Sequence, residues 1–318
     1  MERILKIIVK ETDGSANVGQ ILRIQAGLTK KQISQAKFRS EGITRNGVKC
    51  RVTDSALPGD ILTVCLEESH ISGSDHLIMP PDHLPPLQIL YEDQDLLAVN
   101  KPAGIVTHPC GSHYHDSLSN QAAYYFHSRG KNVTIRSVGR LDKETSGIVI
   151  FAKNQPAAAR LQNQRYQGHF QKEYLALVHG CLPEDSRVWH TIDLPIAPDP
   201  DDSRKMICPP HSFAVPDYSL QPQYKKAVTH YRVIKSTDQW SLLSLRLDTG
   251  RTHQIRVHMK ATGHPLLGDT LYSGSRTVPE PFSFARAALH AWKVSLIQPF
   301  ENREILIEAD IPNDFYLC

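Results

Sequence analysis

Nine consecutive residues, Gly139, Arg140, Leu141, Asp142, Lys143, Glu144, Thr145, Ser146 and Gly147, concentrate groups that could do chemistry. They stand directly before an apolar run, Ile148 to Ala152, of the kind that forms a buried strand. Asp142 is therefore expected on a polar loop at a strand entrance, beside a cation and two hydroxyls. A carboxylate held by a rigid strand can act as a nucleophile or a base. The same residues could also make a plain turn closed by an Arg–Asp pair, because structural ion pairs are common. A second group, His108, Cys110, His113 and His115, carries side chains able to hold a metal. Its spacing matches no standard zinc module, so no metal is expected there.

The elements that must position these residues follow from periodicity. From Gln88 onward, strand-like runs recur at Ile89 to Tyr91, Leu96 to Val99, Ile148 to Ala152, Tyr174 to Val178, Val228 to Ile234, Leu242 to Leu247, Ala288 to Leu296 and Ile305 to Ile307. Helical stretches are fewer, near Leu118 to His127, Pro156 to Gln167 and Thr252 to Thr262. Strands that outnumber helices without alternating with them predict an α+β fold with a mixed, largely antiparallel sheet. The stretch from His190 to Tyr224 is rich in Pro, Asp and Ser and reads as a long loop over the active face.

Residues 1–70 read as a separate small α/β module. Val18, Ile21 and Leu22 share one helical face, and Thr29 opens a second helix with Gln32 placed for a capping box. Asn46-Gly47 marks a hairpin, and Leu62, Val64 and Leu66 alternate as a strand. Residues 71–87 contain two proline pairs and predict an extended, semi-stiff linker. Residues 88–318 then form the larger domain.

The string G-R-L-D-K-E-T-S-G closely resembles the R-L-D-x-x-T-S-G signature of the pseudouridine synthases, in the branch named after ribosomal large subunit synthase A. Thr249 to Met259 (T-G-R-T-H-Q-I-R-V-H-M) resembles a second signature of that family. So do Asn100 to Gly104, Lys172 to Gly180 and Gly263 to Asp269, all in family order. One departure is Gly139, where the branch usually has His before R-L-D. Residues 17–66, with two helices, a hairpin and a G-D-x-L strand, resemble the S4 RNA-binding domain.

The resemblance implies a pseudouridine synthase fold and an RNA uridine isomerase that needs no cofactor. It makes Asp142 the catalytic carboxylate and Arg256 its ion-pair partner, with Arg251 the less favoured candidate for that pairing. Ile255 would wall the base pocket, and Tyr174 would stack on the uracil. Thr145 and Arg140 would contact substrate, Arg140 by filling the gap left by the flipped nucleotide or by binding a phosphate. His253 and His264 would orient loops.

Composition fits these expectations. The 318 residues carry a net charge of only +3, yet the stretch from Arg23 to Arg51 holds eight basic residues against one acid, Glu41. Lys30, Lys31, Lys37 and Arg39 fall on or near the second predicted helix and are expected to meet RNA phosphates. No apolar run approaches the roughly 20 residues of a membrane span. The six cysteines form no C-x-x-C pair, which suits free thiols in a reducing cytoplasm. The expected partner is structured RNA, with large-subunit ribosomal RNA first and transfer RNA second, bound by a monomer. Competing readings are a non-catalytic RNA-binding or ribosome-assembly protein on the same fold, and a nucleoside hydrolase.

Overall fold

The computed structural model describes residues 2–14, 16–67, 85–131, 133–209 and 223–315. Most of the expected linker, residues 71–87, therefore lies outside the described residues.

The first elements are β1 (Glu2–Ile8), α1 (Val18–Ile24), α2 (Lys30–Lys37), β2 (Ile43–Arg45), β3 (Val48–Lys49) and β4 (Ile61–Glu67). The strands make a four-stranded sheet in the order β1-β4-β2-β3. Val18, Ile21 and Leu22 turn inward from α1 and join Leu62 and Val64 in one apolar cluster. The Thr29 hydroxyl accepts from the Gln32 N–H at 3.2 Å, while Gln32 Oε1 accepts from the Thr29 N–H at 2.8 Å, so the expected capping box is formed. Asn46 and Gly47 both adopt positive φ, 52° and 81°, as the two-residue hairpin turn between β2 and β3 requires. Gly27 faces the larger sheet's side of the molecule: a Cβ built there would lie 3.5 Å from Arg160. Phe300 packs against the same apolar cluster.

The larger part contains β5 (Gln88–Glu92), β6 (Leu96–Lys101), α3 (Leu118–His127), β7 (Arg136–Ser137), β8 (Ser146–Ala152), α4 (Gln155–Gln167), β9 (Gln171–His179) and β10 (His190–Asp193). It continues with β11 (Ala197–Pro198), β12 (Met206–Ile207), β13 (Val228–Ser236), β14 (Trp240–Leu247), α5 (Gln254–Ala261), β15 (Leu289–Ile297) and β16 (Glu304–Glu308). Ten of these strands form one sheet in the order β10-β13-β14-β9-β15-β8-β6-β5, with β16 beside β15 and β7 beside β8. Only β15 with β8 is parallel, through His290 opposite Ser146. The fold is α+β with a mixed, largely antiparallel sheet.

Every residue of β8 is buried, because this central strand is covered on both faces. Val149 and Phe151 point to the layer that holds Leu118, Ala122 and Phe126 of α3. Ile148, Ile150 and Ala152 point to the layer that holds Ala157 and Leu161 of α4. The alternation of a strand thus splits one apolar run between two cores. On β9, Tyr174, Ala176 and Val178 share the first layer, as their spacing predicts.

One expectation needs correction. The stretch from His190 to Tyr224 is not one loop. His190–Asp193 pairs with Val228 to Tyr231 and extends the sheet, and Ile192 is buried in the main core. The sheet edge at β13 offers unpaired backbone groups, and pairing them outweighs the polar composition around Ile192. None of the described residues of that stretch lines the cavity described next.

Candidate active site

Asp142 stands on the loop between β7 and β8, and neighbouring blocks brace that loop. The Thr107 hydroxyl donates to the Leu141 carbonyl at 2.8 Å and accepts from the Leu141 N–H at 3.1 Å. The Gly104 N–H donates to the Lys143 carbonyl at 2.8 Å. Lys101, fully buried, donates from Nζ to the carbonyls of Pro102 and Ile105 at 2.8 Å and of Lys143 at 3.1 Å. Burial pushes its ammonium down to about 7, against the opposing pull of Asp142 and Glu144. The loop's far end is fixed by Gly147, where a Cβ would stand 2.2 Å from the Ala291 carbonyl oxygen. Only glycine lets β8 and β15 approach that closely.

A cavity of about 440 Å³ opens beside this loop. That falls within the range of roughly 300–1,000 Å³ typical of small-ligand sites. Asp142, Thr145, Tyr174, Ile255 and Arg256 all line it, and so do Arg140 and Arg251. The structure thus gathers the five interior site residues from the β7–β8 loop, β9 and α5. Tyr174 is only 7 % exposed and belongs to the main core as well as to the cavity wall. Burial, reinforced by the charge of Asp142, raises its phenol above the ordinary value, so the hydroxyl holds its proton. Ile255 is buried in the same core and gives the cavity an apolar wall.

The expected Arg256–Asp142 pairing is corrected by the geometry. Arg256 donates from Nε to Asp269 Oδ2 and from Nη2 to Asp269 Oδ1, both at 2.7 Å. Burial works against the Arg256 charge, but the Asp269 hydrogen bonds and charge outweigh it and hold the guanidinium more firmly protonated. A planar guanidinium and a carboxylate match two bonds to two, and Asp269 supplies that fork from within the wall. The cation nearest Asp142 is instead Arg140, at 3.8 Å from Oδ1, with its side chain 66 % exposed. Asp142 still contributes its charge to Arg256, so the two face one cavity without forming the fork. Arg251 is likewise engaged elsewhere and donates from Nε to the Lys226 carbonyl at 2.9 Å.

Lys172, Arg165 and Tyr166 on the cavity wall carried no assigned role from sequence, nor did Asp269, the partner of Arg256. Asp269 closes the block Gly263 to Asp269, and that position is the only signal the sequence offers for it. His253 opens α5 in a left-handed conformation, φ 55°, and its Nδ1 lies 2.9 Å from the Tyr272 hydroxyl. Burial lowers its pKa despite Asp142 nearby. Lys172 lines the cavity and donates to the Ile148 carbonyl at 2.9 Å, and burial takes its ammonium down to about 7. Arg165 and Tyr166, at the end of α4, complete the rim. In the His108–His115 group, His108 meets Ser119 at 2.9 Å and His113 meets Asp116 at 2.6 Å.

Lys30, Lys31, Lys37 and Arg39 lie outside the cavity, on or beside α2. The three lysines are exposed. Arg39 reaches the Cys65 carbonyl at 3.4 Å, and Arg45 approaches Asp60 at 4.0 Å, so these two are partly committed within their own module.

Comparison with known proteins bears on this site. The model of the family described as RNA pseudouridylate synthase matches residues 95–261, which span the Asp142 loop, β9 and α5. A protein of Bacillus subtilis named uncharacterized RNA pseudouridine synthase YjbO is 33 % identical over 290 residues, covering 91 % of this chain and 94 % of its own. A protein of Zymomonas mobilis named ribosomal large subunit pseudouridine synthase D is 38 % identical over 242 residues, covering 73 % of this chain and 71 % of its own. Among solved structures, human RNA pseudouridylate synthase domain containing 1 superposes with a TM-score of 0.54 at 28 % identity, over 73 % of this chain and 86 % of that one.

Proposed function

The chain belongs to the RNA pseudouridylate synthase family, and on that premise we propose that it isomerises uridine in large-subunit ribosomal RNA with Asp142 as the catalytic carboxylate. The observation that carries the assignment is the position of Asp142. Asp142 stands on a braced loop and lines the cavity together with Tyr174 and Ile255, whereas the other lining carboxylate, Asp248, is 62 % exposed and meets His230. The family's reaction breaks the bond between ribose C1′ and uracil N1 and joins C1′ to C5. The C5 hydrogen is lost to water, and N1 gains a proton.

Asp142 places negative charge where the sugar becomes electron-poor as the glycosidic bond breaks. Tyr174, protonated and packed on its outer side by the core, offers a flat face to the detached base. Ile255 closes the opposite wall and keeps water from the sugar. Arg256, anchored by Asp269, adds a fixed guanidinium to the cavity wall that Asp142 shares. No group other than the protein's own side chains is needed for this redox-neutral step.

The choice of ribosomal RNA rests on the relatives named for that substrate. We further propose that residues 1–70 serve as an S4-like RNA-binding module, that 71–87 link it to the catalytic part at 88–318, and that the protein works as a cytoplasmic monomer. Exposed Arg23, Lys30, Lys31, Lys37, Lys49 and Arg51 support the first of these. Among the described residues, no helix is long and apolar enough to cross a membrane.

The test is a map of pseudouridine across total RNA from cells with and without this gene, and with an Asp142→Asn replacement. Sites in large-subunit RNA that vanish in both altered strains are expected. Loss confined to transfer RNA would move the substrate. Full modification by Asp142→Asn would remove the carboxylate from the chemistry.

A further inference from the structure

Arg165 sits in the last turn of α4, at the cavity rim. A cation there complements the helix dipole, but that alone does not fix where the guanidinium lies. Here it lies across two active-site loops. A Cβ built on Gly139 would be 3.3 Å from Arg165 Nη1, and one built on Gly250 would be 3.4 Å from Nη2. The guanidinium therefore fills the space over two residues that have no side chains. One belongs to the Asp142 loop, and the other directly precedes Arg251. The exposed Arg165 lines the same cavity as Lys172 and Tyr174, the two β9 side chains on its wall.

Among the described residues, no carboxylate or carbonyl pairs with this guanidinium, although Arg140 has Asp142, Arg251 has the Lys226 carbonyl and Arg256 has Asp269. The other lining arginines keep some donors uncommitted too, but Arg165 is the one among them with no protein partner among the described residues. A guanidinium presents a rigid planar fork that matches a phosphate two bonds to two. A phosphate that approaches this guanidinium meets no side chain from Gly139 or Gly250.

Building on the isomerase reading above, we propose that Arg165 binds the backbone phosphate of the nucleotide whose base enters the cavity. It would hold that phosphate against the Gly139 and Gly250 loops and so set the sugar over Asp142. This is a binding and positioning role, and Asp142 keeps the chemistry. The missing side chain at position 139 is part of the device. Alanine there would meet Nη1 at 3.3 Å on a backbone with φ 83°, displacing the guanidinium.

Two measurements test this with the full chain. RNA affinity is read by fluorescence anisotropy over a series of salt concentrations, using total RNA from cells lacking the gene. Turnover is read as release of tritium from the same RNA labelled at uridine C5. Arg165→Ala should raise the half-saturating RNA concentration about tenfold, as expected for an exposed charge-assisted contact. It should also reduce the log–log salt slope by about 0.7, the contribution of one phosphate on a single strand. Arg165→Lys should restore the slope but only part of the affinity, because a point charge replaces a fork. Gly139→Ala should weaken binding while Arg165→Ala with Gly139→Ala is no weaker than Arg165→Ala alone. Parental affinity and slope in Arg165→Ala would overturn the proposal, and so would full additivity of the two changes. If the parent binds RNA with the predicted slopes yet releases no tritium, the isomerase reading fails while the phosphate contact stands.

Discussion

Replacing Asp269 by Asn should destabilise the catalytic part by about 3 kcal/mol, the lower end of the cost of leaving half of a buried ion pair behind. The figure follows from the surroundings. The side chains of Arg256 and Asp269 are 6 % and 0 % exposed, so water cannot replace the lost partner. Asn keeps one oxygen, able to accept from Arg256 Nη2 and from the N–H groups of Leu271 and Tyr272, which lie 3.1 and 3.2 Å from Oδ1. Its amide nitrogen, however, would face Arg256 Nε, donor against donor, and the negative charge is gone. Asp142 still offers its charge to Arg256, and the Tyr272 ring lies 5.1 Å from the guanidinium carbon. Those two contacts are why the low end applies. A loss of that size corresponds to about two decades in the unfolding equilibrium, or a fall in Tm of roughly 6–12 °C for a domain of this size. The assay is urea unfolding followed by tryptophan fluorescence. Trp189, Trp240 and Trp292 all lie beyond residue 88, so the signal reports the catalytic part alone. The midpoint should fall at unchanged slope. Adding Arg256→Met should recover part of the loss, because the orphaned cation is removed. An unchanged midpoint for Asp269→Asn would refute the reasoning. So would a double variant that simply sums the two single losses.

Other outcomes are expected from the same structure. Tyr174→Leu should still bind RNA but turn over slowly, since a stacked ring is worth about 1–3 kcal/mol per base; parental single-turnover rates would place Tyr174 in the core only. Lys30→Ala with Lys31→Ala should lower RNA affinity across all sequences and reduce the log–log salt slope by at most about 1.4, roughly 0.7 per phosphate; coincident slopes would mean that α2 does not meet RNA. Burial lowers the pKa of His290 to about 4, with the Arg286 charge adding to the effect, and its Nδ1 lies 2.8 Å from the Ser146 hydroxyl. The unfolded imidazole titrates near the usual value of about 6.5, so the unfolded chain binds the extra proton first. This contribution is therefore complete above about pH 6.5 and is lost progressively toward pH 4, up to about 3 kcal/mol. His290→Gln should flatten the fall of the unfolding midpoint between those values, and parallel curves for the two proteins would count against it.

Local chemistry made much of the molecule legible. The run Ile148 to Ala152 reads as a buried strand, and Asp142 falls at its entrance on that reading. The capping box at Thr29, the turn at Asn46-Gly47 and the shared face of Tyr174, Ala176 and Val178 each depend on residues within a few positions, where periodicity and backbone preference decide. What pairs across the chain was a different matter. Asp269 lies 13 residues beyond Arg256, and it takes the guanidinium expected at Asp142 because the turn after α5 brings it within 2.7 Å. Ile192 enters the core because an edge strand at β13 was available to it, which no feature of a Pro- and Asp-rich stretch announces. Gly139 looked like a missing side chain until α4 carried Arg165 over it. Sequence specifies each element through neighbours along the chain. The partners of a charged group are chosen by distance in space, and only the packed sheet and helices set those distances.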